Sequence, residues 1–200
     1  MNAVRGMVFD LDGTLIDSAL DFDLIRHDMG LPRGRPILEA LAEIPEGDDK
    51  DRMRAVLRSH ELAGADRAVL FPGVSEALAF LRDQKIPTGI LTRNSRESTE
   101  RVLSRLGLLF DQVLTREDAP PKPDPTGLIT ICQRWQLNPA AVPFCGDYRF
   151  DLEAGRAAGM PTVLYAPGVI PEYASLADHV LSCFTRFDEL FANLSTERGM

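Results

Sequence analysis

The chain has 200 residues, of which 44% are hydrophobic and 26% are charged, so it is long enough for a globular domain with a good core and a modest insertion. Its net charge of −8 argues against a nucleic-acid surface, and no apolar run predicts a signal peptide or a membrane span. We therefore expect a cytoplasmic protein whose partners are small molecules or cations, with no nucleic-acid or membrane partner, and the sequence indicates no particular oligomeric state.

The first predicted strand, residues 4–9, is followed by a long segment without a strand pattern. This segment, residues 17–71, contains helical patterns at 22–29, 36–42 and 50–65, separated by glycine- and proline-containing turns. We interpret it as a small all-helical cap, inserted into an α/β core formed by residues 1–16 and 72–200. Because the cap begins and ends near the end of the first strand, we expect it to cover the site like a lid.

From residue 72 onwards, helical patterns alternate with short apolar segments. The predicted helices are residues 74–84, 96–106, 126–135 and 151–158, and the predicted strands are residues 87–92, 112–115, 142–145 and 161–165. Residues 195–200 are predicted to form a frayed tail. Alternation of this kind indicates a doubly wound parallel sheet covered by helices on both faces. In such sheets the binding site lies beyond the carboxyl ends of the strands.

The segment Val8–Leu15, with the sequence V-F-D-L-D-G-T-L, places two aspartates where the first strand ends. Side chains two positions apart on an extended chain point to the same side, so Asp10 and Asp12 can face one point. Two like charges held together destabilise a fold unless a cation or a shared proton relieves them. The pair therefore predicts either a metal site or an acid and a base with different tasks.

Two further polar clusters follow predicted strands. Residues 92–95, T-R-N-S, precede a helix and can hold an anion through a hydroxyl and backbone N–H groups, although this cluster taken alone is better explained by helix capping through Asn94 or Ser95. Lys122 lies between two prolines that limit the conformations it loses on binding a phosphate. The alternative for Lys122 is a solvated loop lysine.

The last cluster, G-D-Y-R-F-D, follows the strand predicted at 142–145. Its aspartates, Asp147 and Asp151, are four residues apart at a helix start and can share one face of the helix. Capping of the helix is the competing explanation.

Together these clusters resemble the four motifs of the haloacid dehalogenase superfamily. They occur in the expected order as V-F-D-L-D-G-T-L, L-T-R-N, K-P-D-P and G-D-x-x-x-D, and the resemblance covers nearly the whole chain. The helical insertion lies where the phosphoglycolate-phosphatase-like branch carries its C1 cap. The resemblance implies a Rossmann-like core with an inserted helical cap.

The resemblance also implies a role for each residue. Asp10 would be the nucleophile that forms an aspartyl-phosphate, and Asp12 the general acid and base. Phosphate binding would fall to four residues that follow the strands: Thr92, Arg93, Asn94 and Lys122.

The magnesium site implied by the resemblance uses oxygen ligands. Asp10, Asp147 and the backbone carbonyl of Asp12 would hold Mg²⁺, and Asp151 would orient it directly or through water. Magnesium would also offset the repulsion between Asp10 and Asp12.

Asp12 favours hydrolysis of a phosphate monoester of a small metabolite, because dehalogenases and phosphonate-cleaving relatives lack an acid at that position. A β-phosphoglucomutase-like phosphomutase remains the alternative within the enzyme class, although the short cap favours a less enclosed site. A phosphoacceptor or binding module without turnover is the alternative from a different class, but it usually lacks a helical lid.

Several residues depart from the family pattern or have no assigned role. Tyr148 replaces a small serine, and Arg93 is either a ligand for a substrate carboxylate or second phosphate or an exposed arginine. Arg33 and Arg35 in the cap either reach towards the site or lie in a solvated loop.

The cysteines are odd in number and have no C-x-x-C spacing, which argues against a disulfide framework or a zinc knuckle. We expect all three, Cys132, Cys145 and Cys183, to be buried as small hydrophobic residues in a reducing compartment.

Overall fold

The structure is a computed structural model that describes residues 4–196. The described chain divides into two compact units. The core unit consists of residues 4–17, Leu70–Arg93 and 109–196, and the helical unit consists of Ser18–Val69 and Asn94–Leu108. The helical unit therefore contains most of the predicted cap together with a segment that follows the second predicted strand.

Eight strands occur within the described residues. They are β1 (Met7–Phe9), β2 (Ile16–Asp17), β3 (Val69–Leu70), β4 (Thr88–Leu91), β5 (Gln112–Leu114), β6 (Phe144–Gly146), β7 (Thr162–Tyr165) and β8 (His179–Leu181). Six of them form one parallel sheet in the order β5-β4-β1-β6-β7-β8, and β2 pairs with β3 in a separate two-stranded sheet. This parallel sheet confirms the predicted α/β fold class.

Eight α-helices accompany the strands in residues 4–196. They are α1 (Phe22–Asp28), α2 (Ile37–Glu43), α3 (Asp48–Arg67), α4 (Val74–Asp83), α5 (Arg96–Leu106), α6 (Thr126–Trp135), α7 (Arg149–Ala157) and α8 (Phe187–Thr196). Within the part of the chain that the structure describes, no helix combines the length and the apolarity needed to cross a membrane.

Both faces of the parallel sheet are covered, as alternation along β1 illustrates. Val8 packs in one hydrophobic cluster with Leu128 and Ile131 of α6. The next residue, Phe9, points to the opposite face, where its ring centroid lies 6.3 Å from that of Phe184 and 6.4 Å from that of Phe187. Burial on both faces explains why the strands appear in the sequence as continuous apolar runs.

The helical unit has its own small core. Residues from α1, α2 and α3 form it: Ile25, Met29, Ile37, Leu41 and Leu57. Helix α5 joins this unit through two ion pairs with α3. Arg58 of α3 donates two hydrogen bonds of 2.6 Å to Glu97 of α5. Arg101 of α5 donates bonds of 2.5 and 2.7 Å to Asp66 of α3. These bidentate pairs fix the orientation of α5 against α3.

Three sequence expectations about local structure were wrong or incomplete. Residues 17–71 were expected to contain no strand, but β3 lies there and β2 ends at Asp17. Each has only two residues, too few to produce a visible alternation. Strand β8 was not predicted either, and its burial is uneven, with Val180 exposed and Leu181 buried. Helix α8 continues through Thr196, and the rest of the predicted tail lies outside the described residues.

The cysteine prediction holds for two of the three residues. Cys132 and Cys145 are buried. Cys183 is only partly buried, contrary to the expectation. It caps the short 3₁₀ segment Phe184–Arg186, where its Sγ accepts a hydrogen bond from the Thr185 hydroxyl at 3.1 Å.

Candidate active site

The polar residues that follow three neighbouring strands meet at one edge of the core sheet. Strand β1 lies between β4 and β6, and Asp10, Thr92 and Asp147 each follow one of these strands. From β1 the chain first adds β4 and β5 on one side and then β6, β7 and β8 on the other. The carboxyl ends of β1 and β6 therefore lie at the topological switch point, where open α/β sheets bind ligands.

Lys122 is the most deeply buried charged group of this edge. Its ammonium contacts Asp10 Oδ1 at 2.5 Å and Asp151 Oδ1 at 2.6 Å, and it donates to the Leu91 carbonyl at 3.1 Å. The side chain is 3% exposed, which contradicts the alternative of a solvated loop lysine. Burial alone would lower the pKa of Lys122, but the charges of Asp10 and Asp151 raise it above its usual value. Lys122 therefore supplies a permanent positive charge inside the site.

Three carboxylates form an acidic cluster around this lysine. Oxygens of Asp10, Asp147 and Asp151 all lie within 4.8 Å of one another. Burial raises the pKa of Asp10 to about 7, to which Asp151 adds by repulsion while Lys122 opposes the shift. Burial and the charges of Asp10 and Asp151 raise the pKa of Asp147 to about 8. The single ammonium of Lys122 thus does not fully compensate the cluster, and a further cation would stabilise its ionised form.

The donor set suits magnesium, because it consists of carboxylate oxygens held close together. Gly13 makes room for Asp147. A Cβ atom at Gly13 would lie 2.5 Å from Asp147 Oδ2, and the φ of Gly13 is +88°, a conformation that other residues rarely adopt. The hydroxyl of Thr14 donates to Asp147 Oδ1 at 3.2 Å, a contact that sequence reasoning missed because the two residues lie 133 positions apart in the chain.

Asp151 contributes to both the site and the helix. Its Oδ2 accepts a hydrogen bond from the backbone N–H of Tyr148 at 2.9 Å, next to the first turn of α7. Its Oδ1 contacts Lys122. The two explanations weighed from the sequence, helix capping and a polar site, therefore both apply to this residue.

Asp12 is not a member of the acidic cluster. It follows β1 by three residues, is half-buried and forms an isolated bridge with Ile16. The carboxylates grouped within the described residues are those of Asp10, Asp147 and Asp151. The resemblance had implied that Asp12 offers a metal only its backbone carbonyl and keeps its carboxyl group for proton transfer.

The phosphate-binding residues predicted after β4 have different environments. Thr92 is buried, and its backbone N–H donates to the Leu114 carbonyl at 3.0 Å. Asn94 belongs to the helical unit. Of the two capping candidates, Ser95 is the N-cap of α5, because its Oγ accepts from the Ser98 N–H at 3.3 Å.

Arg93 is half-buried and engaged with two neighbours in the core unit. Its NH1 group donates to the Lys122 carbonyl oxygen at 2.7 Å, and its Cζ atom lies 5.3 Å from the ring centroid of Phe150. The alternative of an exposed surface arginine is therefore wrong.

Aromatic side chains surround the Asp147 segment. The Tyr173 hydroxyl donates to the Asp147 carbonyl at 3.0 Å, and the exposed ring of Tyr148 packs edge-on against Phe150 and Tyr173. Sequence reasoning missed Tyr173, because it lies in a short 3₁₀ segment after β7 and belongs to no motif.

The two arginines of the predicted cap have partners within the helical unit. Arg33 contacts Asp23 at 3.1 Å while its side chain is 89% exposed, and Arg35 contacts Glu43 at 2.5 Å. These exposed pairs favour the interpretation of a solvated loop.

Comparison with known proteins shows that the chain is similar to haloacid dehalogenase-like hydrolases. The family model described as haloacid dehalogenase-like hydrolase matches residues 23–165, a range that begins after Asp10 and Asp12. An N-acetylmuramic acid 6-phosphate phosphatase from Pseudomonas putida is 32% identical over 84% of this chain and 85% of its own length. A phosphoglycolate phosphatase from the same organism is 31% identical over 80% of this chain and 68% of its own length.

A solved structure, the β-phosphoglucomutase of Clostridium difficile, superimposes with a TM-score of 0.77 at 19% identity and covers 96% of this chain and 97% of that one. At this identity the likeness concerns the fold alone. The family match extends over more than half of the chain, and the relatives exceed 30% identity over most of it. The chain therefore belongs to the haloacid dehalogenase-like hydrolase family, in its phosphoglycolate-phosphatase-like branch.

Proposed function

We propose that this protein is a Mg²⁺-dependent phosphatase that hydrolyses a phosphate monoester of a small metabolite through an aspartyl-phosphate intermediate. Its class, phosphoric monoester hydrolase, follows from its family and from the phosphatase names of its relatives. The observation that supports the mechanism is the buried Lys122 ammonium between Asp10 and Asp151 at the switch point of the sheet. We retain the cytoplasm as the predicted location.

Asp10 is the proposed nucleophile, and its surroundings fit that role. Its Oδ1 contacts Lys122, so one carboxylate oxygen is fixed by a charge-assisted hydrogen bond. In-line attack by a carboxylate oxygen on phosphorus forms the Asp10–phosphoryl bond and breaks the bond to the leaving alkoxide. Lys122 and Thr92 would bind phosphoryl oxygens as negative charge shifts among them.

Asp10, Asp147 and the backbone carbonyl of Asp12 would hold the magnesium ion, and Asp151 would orient it. When bound, the ion supplies positive charge that neutralises the cluster and the phosphoryl oxygens. The raised pKa values of Asp10 and Asp147 are consistent with this assignment, because a bound cation would offset the burial and the mutual repulsion that raise them.

Asp12 is the proposed general acid and base. It protonates the leaving alkoxide and then takes a proton from the water that attacks the Asp10 phosphoryl group, which releases inorganic phosphate and restores both carboxyl groups. The phosphomutase alternative uses the same groups but passes the phosphoryl group to a second hydroxyl of a sugar. The solved mutase with this fold keeps that alternative open to experiment.

The proposed function predicts that the purified protein releases inorganic phosphate from at least one member of a panel of phosphorylated metabolites when Mg²⁺ is present. The panel should include sugar phosphates, phosphoglycolate and N-acetylmuramic acid 6-phosphate, and phosphate release is measured for each. Interconversion of sugar phosphates without phosphate release would favour the mutase. A phosphorylated protein that persists without turnover would favour the phosphoacceptor module.

Replacement of Asp12 by Asn should lower turnover of an alkyl phosphate by about 10²- to 10⁴-fold, the usual contribution of a general acid or base. The rate of formation of the phosphoenzyme from p-nitrophenyl phosphate should fall much less, because p-nitrophenolate leaves without a proton. Single-turnover kinetics with both substrates measure the difference. Equal losses in this step for the two leaving groups would contradict the acid role of Asp12.

A further inference from the structure

The guanidinium of Arg93 contacts the Lys122 loop and the start of α7. Its NH1 group donates to the Lys122 carbonyl oxygen at 2.7 Å. The same guanidinium lies over the Phe150 ring, with 5.3 Å from Cζ to the ring centroid. Arg93 follows β4, Lys122 follows β5 and Phe150 follows β6, so the Arg93 side chain connects its own segment with segments that follow two other strands.

Both the side-chain ammonium and the backbone carbonyl of Lys122 are bonded to residues at the end of β4 or just after it. Its ammonium donates to the Leu91 carbonyl at 3.1 Å, and its own carbonyl accepts from Arg93. Because the lysine side chain is a flexible stem of four methylene groups, the position of its ammonium is defined only when its backbone is also fixed. The bond from Arg93 fixes the backbone, and the bonds to Asp10 and Leu91 fix the ammonium.

The Phe150 ring restrains the guanidinium of Arg93 through a cation–π contact. A cation held over an aromatic ring is attracted to its face, which limits the positions that the guanidinium can take. The ring of Phe150 is in turn packed edge-on against Tyr148, with centroids 5.2 Å apart and an interplanar angle of 86°. Arg93 is therefore held in the orientation that donates to Lys122.

We propose that Arg93 is a positioning residue that acts through Lys122, and that it is not the ligand of a substrate carboxylate or second phosphate. This inference rests on the proposed phosphatase function. The two roles differ in the substrates they affect. A ligand for a second anionic group improves only substrates that carry such a group, whereas a residue that positions Lys122 affects every phosphate monoester to the same extent.

Turnover of p-nitrophenyl phosphate by Arg93→Met separates the two roles, because this substrate has one phosphate and no carboxylate. We expect kcat to fall by about 10- to 100-fold, as for loss of a group that orients a site residue. Phe150→Leu, which keeps the hydrogen bond but removes the ring, and Arg93→Lys, which keeps a cation and one donor, should both give values between those of the wild type and Arg93→Met.

Arg156→Met is the matched control. Arg156 also donates to a backbone carbonyl, that of Leu176 at 3.2 Å, but it lies near the carboxyl end of α7, and neither residue belongs to the candidate site. Its removal should leave kcat within about twofold of the wild type. Thermal unfolding of each variant should be measured, to establish that the assay temperature lies below its unfolding transition.

A kcat of Arg93→Met equal to that of the wild type on p-nitrophenyl phosphate would overturn the positioning role, as would an equal loss in Arg156→Met. A second measurement compares kcat of the Lys122→Met variant with kcat of the double variant Arg93→Met, Lys122→Met. If Arg93 acts through Lys122, Arg93→Met should cause little further loss in that background. Lack of wild-type activity on p-nitrophenyl phosphate and on the whole metabolite panel would instead contradict the proposed function, so the two failures are distinguishable.

Discussion

Asp10→Asn is expected to reduce turnover of any phosphate monoester by on the order of 10⁴-fold or more, because an amide oxygen cannot replace the carboxylate nucleophile. The wild-type protein, quenched with acid during turnover, should carry one phosphoryl group on the peptide that contains Asp10. The Asn variant should carry none. Steady-state kinetics and mass spectrometry of the quenched protein measure the two effects.

The fold of Asp10→Asn should be retained. Lys122 keeps its contact with Asp151, and the substitution removes one of the mutually repelling carboxylates. Thermal unfolding without metal should therefore show a transition no lower than that of the wild type. Asp188→Asn, the same chemical change at an exposed position in the first turn of α8, is the control for the activity measurement. Turnover by Asp10→Asn near the wild-type rate would refute the nucleophile assignment.

Removal of divalent cations is expected to abolish turnover, and Mg²⁺ should restore it. With an excess of chelator the acidic cluster keeps only the charge of Lys122, and the raised pKa values of Asp10 and Asp147 mean that these groups are partly protonated near neutral pH. A protonated Asp10 is a poor nucleophile. Phosphate release before chelation, after chelation and after addition of Mg²⁺ measures this dependence.

Thermal unfolding provides a readout of Mg²⁺ binding that does not depend on activity. A ligand that binds only the folded state contributes about 2.7 kcal/mol at 100 times its dissociation constant, and each kcal/mol raises Tm by about 2–4 °C in a protein of this size. Mg²⁺ should therefore raise the Tm of the wild type and of Asp188→Asn by several degrees. Asp147→Asn should show little of this increase. Activity and Tm that are both indifferent to Mg²⁺ would contradict the metal site.

Local patterns in the sequence were sufficient for most of the secondary structure. The predicted bounds of α5 and α6 match the observed ones, because Gly107 ends α5 in a left-handed conformation and both helices carry a regular apolar stripe. Strands β2 and β3 were missed because two-residue strands exist only through pairing with a distant segment. Such pairing leaves no periodic signal in either segment.

The chemistry of the candidate site was predictable to the extent that it depends on residue type and strand ends. Asp10, Thr92 and Asp147 follow neighbouring parallel strands, and strand order brings them to one edge. The burial of Lys122 was not predictable, because it depends on the path of a loop after β5. The contacts of Arg93 and Tyr173 were missed for the same reason, since each joins segments far apart in the chain.

The sequence by itself determined the α/β fold class, the family and the residue types of the site, because periodicity and short motifs are properties of neighbouring residues. The tertiary structure decided which charges meet. It placed Lys122 between Asp10 and Asp151, brought Asp147 against Gly13, and attached Arg93 to the Lys122 backbone. These contacts join loops that follow different strands, and the distance between such loops is set by sheet packing, which no local pattern encodes.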